Sequence, residues 1–130
     1  MEPLDIFTLQ SDEIRHNWAW ISNFLASVEK RDWEVNDVRM DLMSKKAQLW
    51  GIRDGSLVKG IWITKLEDDH GLIWIAAGEG LEQGLKLMAE HTEPWFKEKG
   101  CTSIRIIGRR GWERILKDFS FEGVLLEKAI

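Results

Sequence analysis

Leu72-Ile-Trp-Ile-Ala-Ala-Gly-Glu-Gly-Leu81 is an apolar run that stops at two glycines and passes straight into a long amphipathic segment. Leu72 to Ala77 is apolar at every position, which predicts a central strand covered on both faces. A strand that breaks at Gly78 and Gly80 and gives way to a helix presents several free backbone N–H groups to an anionic ligand. Beyond it, Leu81, Leu85, Met88, Ala89, Thr92, Trp95 and Phe96 recur at helical spacing, and Gly100 is a suitable stop. Pro94 predicts a kink or a restart in that helix, because proline lacks the amide donor and crowds the preceding turn. Thr102 to Gly108 then reads as a strand. Strand, helix, strand is the signature of a parallel crossover.

Upstream of this unit, Ala47 to Arg53, Leu57 to Leu66 and Leu72 to Ala77 form an antiparallel meander of three strands. Asp54-Gly55 supplies the first tight turn and Glu67-Asp68-Asp69 with His70-Gly71 the second. Nearer the start, Asp5 to Leu9 suits a short strand, and Ser11 with Asp12 and Glu13 caps a helix. Ile14, Trp18, Ile21, Leu25 and Val28 carry that first helix as one stripe. A second helix begins near Asp32 or Asn36, with Val35, Val38 and Leu42 on one face and Met40 and Met43 read as core fillers in preference to pocket lining. Downstream, Gly111 to Asp118 suits a short helix and Phe121 to Glu127 a last strand.

The chain has 130 residues, a length that fits one domain with one core. Hydrophobic residues make up 44% and charged ones 31%, the balance of a soluble globular protein. Net charge is −4 with both signs interspersed, which argues against general nucleic-acid binding. No apolar run approaches the roughly 18 residues needed to span a bilayer, and no basic-then-apolar leader opens the chain, so a cytoplasmic location is expected. A single cysteine, Cys101, excludes an internal disulfide and reads as a buried, inert thiol. His16, His70 and His91 share no ligand spacing, so no metal site is expected. Of the eight tryptophans, Trp18, Trp62, Trp74 and Trp95 fall within apolar patterns and read as core. Trp20, Trp33, Trp50 and Trp112 are less constrained and could include an exposed patch.

Taken in order as strand, two helices, three meandering strands, helix, strand, helix and strand, with a glycine turn after the fourth strand, the chain resembles the GNAT superfamily of N-acetyltransferases. The resemblance covers nearly the whole chain. It implies an α/β (α+β) fold, one GNAT-like domain over residues 1–130 with a mixed sheet, in the order β-α-α-β-β-β-α-β-α-β. The fourth and fifth strands would be parallel and splayed, and the pantetheine arm of acetyl-CoA would lie in the notch between them. Ile75, Ala76 and Ala77 would then offer backbone groups to the pantetheine, and Gly78, Glu79, Gly80 and Leu81 would occupy the pyrophosphate turn. The family pattern is Arg or Gln, two residues, Gly, any residue, then Gly or Ala. Gly78 and Gly80 match it, Ile75 stands at the Arg or Gln position, and Glu79 brings a negative charge. Many members also use a tyrosine to protonate the leaving thiolate. Counting back from Ser120-Phe121 places Leu116 at that position, and the chain contains no tyrosine.

Arg109 and Arg110, in the turn after the fifth strand, could neutralise coenzyme phosphates or could pair with nearby acids such as Glu113. Glu67, His70 and Glu79 are the available bases, and the same residues equally suit solvated turns. The resemblance implies an acyl-CoA-dependent N-acyltransferase with an atypical or impaired active site, acting on an amine acceptor of a small molecule or protein. The alternative is a non-catalytic structural or interaction protein of GNAT fold, such as a virion component of a phage. Under either reading, exposed aromatics would allow self-association.

Overall fold

The computed structural model describes residues 4–28, 33–78, 81–107, 119–122 and 125–130. The chain divides into two compact units, Met1–Ile63 with Ala76–Glu79 and Thr64–Ile75 with Gly80–Ile130. Two long strands, β3 (Leu57–Glu67) and β4 (His70–Gly78), contribute residues to both.

In the first unit, β1 (Asp5–Leu9) pairs antiparallel with β2 (Ala47–Asp54), from Asp5↔Arg53 to Leu9↔Leu49. Phe7 sits opposite Gly51, where any Cβ would overlap its ring, so the glycine makes room for the aromatic side chain. Arg53 covers the other side of that ring, 4.8 Å from its centroid, and pairs with Asp5 at 2.9 Å. The first helix is divided, contrary to the single stripe expected from sequence, into α1 (Ser11–His16) and α2 (Trp18–Ala26). Asn17 is the cause: its side chain donates to the Glu13 carbonyl at 2.8 Å and accepts from the Trp20 indole at 2.9 Å. An asparagine that bonds backbone and neighbour in this way competes with the helical ladder. The cap of α1 is also Gln10 rather than Ser11, with the Gln10 amide donating to Glu13 Oε1 at 3.0 Å.

The next helix, α3 (Val35–Met43), buries Val38 and Leu42 as expected, whereas Met40 is 61% exposed and not part of the core. Met40 stands two residues from each of those positions, which places it on the opposite side of the helix. Ile14, Ile21, Leu25, Leu49 and Ile61 complete the apolar interior of the unit. Trp50 and Trp62 stack there at 5.9 Å with an interplanar angle of 12°. Trp33 and Trp50, left open as surface candidates by the sequence, are both buried.

In the second unit, β3 and β4 are joined by Asp68-Asp69, with Asp68 at φ 49°. β4 begins at His70, so His70-Gly71 belongs to the strand and not to the turn. Gly71 serves packing instead, because a Cβ there would overlap the buried ring of Phe96. Phe96 lies on α4 (Leu81–Glu98), which runs through Pro94 without the restart that sequence predicts. Pro94 is exposed, so the carbonyl it deprives of a partner can be hydrated. The helix stops as expected at Gly100, φ 87°, with Cys101 N–H bonded to Phe96 O and Gly100 N–H to Lys97 O, both at 3.0 Å.

β5 (Ser103–Ile107) follows, and the expected last strand proves to be two, β6 (Ser120–Glu122) and β7 (Leu125–Ala129). These pair antiparallel, Phe121↔Leu126, across a two-residue connection that includes Gly123, the residue a single-strand reading passes over. β7 also pairs with β5. Taken pair by pair, the strands are hydrogen-bonded in the order β1-β2-β3-β4-β5-β7-β6. The helix expected over Gly111 to Asp118 falls outside the described residues.

Candidate functional site

β4 and β5 pair in parallel over four residues, from His70↔Ser103 to Ile73↔Ile106. β4 then runs on for five more residues, Trp74 to Gly78. Ile75, Ala76 and Ala77, whose peptide groups were singled out from sequence, lie in this extension with their side chains buried. Their backbone is thereby carried past the last of those pairs. The positions that would continue the register opposite Ile75 to Gly78 are 108–111, so the expected splay, like Arg109 and Arg110, lies outside the described residues. Glu79 and Gly80 also fall outside them.

The end of β4 shows why a glycine stands there. Gly78 has φ 143°, a conformation that side-chain-bearing residues rarely adopt, and a Cβ would overlap the Lys59 carbonyl and Gly60 Cα of β3. α4 opens three residues later at Leu81, and its first N–H groups have no helical acceptor. The continuation of β4 past its described pairs with β5, a glycine locked against β3 and a helix start thus follow one another within a few residues. Such an arrangement can bind an extended ligand through peptide groups and an anion through N–H groups.

The other end of β4 carries a separate polar cluster, eight residue steps away or about 26 Å along the strand. Glu67 and His70, two of the three candidate bases, meet here with Nε2–Oε2 at 3.4 Å, and Asp69 lies 3.7 Å from His70 Nδ1. Arg105 Nη1 is also 3.4 Å from His70 Nε2, and its Nε bonds Glu127. That bond is the largest influence holding the Arg105 pKa above its ordinary value, with desolvation opposing it. Sequence reading missed Arg105 and Glu127, because their meeting depends on the β5–β7 register, Arg105↔Glu127. It also missed that Lys65 covers Trp74, 3.6 Å above the ring, which leaves Trp74 half-buried rather than core.

Cys101 is buried as expected, and its thiol pKa is pushed up by burial first and by Asp69 second. No group of His, Cys, Asp and Glu suited to a metal ion occurs among the described residues. No described helix is long and apolar enough to cross a membrane.

No family model and no curated protein matches the chain. Solved structures do. The chain is similar to an N-acetyltransferase from Staphylococcus aureus Mu50, at 10% identity, 98% coverage of each chain and a TM-score of 0.72. It is similar to the PaiA N-acetyltransferase of Thermoplasma acidophilum, solved with coenzyme A, at 15% identity and a TM-score of 0.65, covering 99% of this chain and 100% of that one. It also resembles a GNAT family acetyltransferase from Brucella melitensis, solved with acetyl-CoA, at 15% identity and a TM-score of 0.66, covering 100% of this chain and 90% of that one. At these identities the likeness is one of fold. The fold is that of the GNAT acetyltransferases, with a mixed sheet in which β4 and β5 run parallel.

Proposed function

We propose that the chain is an acyl-CoA-dependent N-acyltransferase with an atypical active site, acting on the amine of a small molecule or protein. The observation that carries this reading is the five-residue extension of β4 beyond its described ladder with β5, ending in Gly78 just before α4. Coenzyme A and acetyl-CoA in the similar structures support the choice of ligand. Acetyl-CoA, when bound, supplies an acyl group as a thioester open to direct attack by a neutral amine. In this reading the peptide groups of Ile75, Ala76 and Ala77 align the pantetheine arm. The turn Gly78, Glu79, Gly80 and Leu81 turns its N–H groups toward the pyrophosphate, and Arg109 and Arg110 offset phosphate charge.

The protein's contribution is mainly positional. No tyrosine exists in the chain, and leucine at 116 cannot donate a proton to the departing sulfur. Holding amine and carbonyl in contact supplies much of the rate in such a transfer, since binding has already removed their relative freedom. Glu79 opposes the pyrophosphate electrostatically, which makes affinity the weak point of the design.

Calorimetric titration with acetyl-CoA and with CoA tests the reading. Micromolar binding of both, with CoA release on adding amines, is the expected result. Absence of heat at high ligand concentration would replace it with the non-catalytic reading, for which the missing tyrosine already speaks.

A further inference from the structure

His70 is only 13% exposed, and its Nε2 is claimed by two groups that need it in opposite states. Glu67 Oε2, at 3.4 Å, can only accept and is an ion-pair partner of the protonated ring. Arg105 Nη1, also at 3.4 Å, can only donate and needs a lone pair. No single proton placement serves both. Among the described residues, the charged groups facing the ring are Glu67 and Asp69 from the β3–β4 hairpin and Arg105 from β5, with Glu127 of β7 acting through Arg105. α4 approaches through Phe96 on Gly71, an uncharged contact.

We propose that His70 is a proton-operated exchange point that ties β4 to β5 and β7 when neutral and to its own hairpin when protonated. In the neutral ring the proton sits on Nδ1, toward Asp69, and Nε2 accepts from Arg105. The chain His70–Arg105–Glu127 then links three strands at the first rung of the β4–β5 ladder, His70↔Ser103. Adding a proton at Nε2 gives that nitrogen an N–H for Glu67, and Arg105 must withdraw from a ring that is now a cation. Asp69 remains beside Nδ1–H in both states. This exchange involves only the cluster around His70 and is independent of acyl transfer.

The test is long-range 1H–15N correlation on the full chain labelled with 15N-histidine, with the His70 signals identified by their loss in His70→Gln. At a pH where the ring is neutral, the wild-type protein should show Nδ1–H and bare Nε2, the reverse of the preference of free imidazole. Arg105→Gln should raise the share of Nε2–H at His70, because Glu67 then competes with Asp69 for the single proton with no donor opposing it at Nε2, whereas Glu67→Gln should leave Nδ1–H in place. A wild-type ring carrying Nε2–H overturns the proposal without any variant, and so does an Arg105→Gln ring whose tautomer ratio equals that of the wild type.

Discussion

Gly78 is fixed by two independent constraints, its φ of 143° and the β3 backbone at Lys59-Gly60 where a Cβ would have to go. Neither obstacle is a flexible side chain, so relief requires the strand itself to move. Gly78→Ala should therefore lower stability by about 2–4 kcal/mol, read as a lower urea midpoint at unchanged slope. A loss under about 1 kcal/mol would mean that β3 yields at this point. One residue on, Glu79→Gln removes a like charge from the proposed pyrophosphate turn. CoA affinity should rise roughly two- to fivefold, measured calorimetrically at low salt, as for a partly screened charge pair. Unchanged affinity would show that the pyrophosphate does not sit there. Sequence exposed the glycine pair because the break in an apolar run is local. The reason for Gly78 was hidden, since it lies in a β3 backbone about twenty residues upstream in the chain.

Elements were legible where one signal dominated. The hairpin at Gly55, the stop at Gly100 and the alternation of β4, α4 and β5 all follow from local chemistry. Boundaries failed where side chains or short turns intervened: Asn17 splits the first helix, and a two-residue connection splits the last strand. The absence of a restart at Pro94 has a different reason. The proline lies on the exposed side of α4, while Met88, Thr92 and Phe96 are buried along the other, so packing carries the helix through a residue that disfavours it. Thr92 adds a hydroxyl bond to the Met88 carbonyl at 2.6 Å. Pro94→Ala should restore one amide donor without disturbing that packing, and should stabilise the protein by on the order of 1–3 kcal/mol, offset partly by a freer unfolded chain. Thermal unfolding followed by far-ultraviolet circular dichroism checks this, and a lower midpoint would mean that α4 depends on a bend at the proline.

At the scale of the whole molecule, both units draw on the β3–β4 hairpin, so opening that hairpin disturbs strands of each. Cys101 lies in the second unit, and its burial makes the stability of that unit depend on pH. Cys101 gives a pH-dependent case. Its folded pKa lies above the ordinary thiol value of about 8.5, so the native state holds the proton to higher pH than the unfolded chain. The thiol's contribution is complete below about pH 8.5 and declines as pH rises toward the folded pKa. Cys101→Ala should therefore show a flatter fall in unfolding free energy above about pH 8.5, measured by urea titration across that range. An equally steep fall would assign the alkaline loss to other groups. The stacked indoles of Trp50 and Trp62 have an optical corollary. Two indoles held that close couple their excited states, and any skew between their in-plane transition moments produces paired circular dichroism bands of opposite sign. An intrinsic spectroscopic marker of the first unit's interior is therefore present without any label, and its disappearance would time the parting of those two rings.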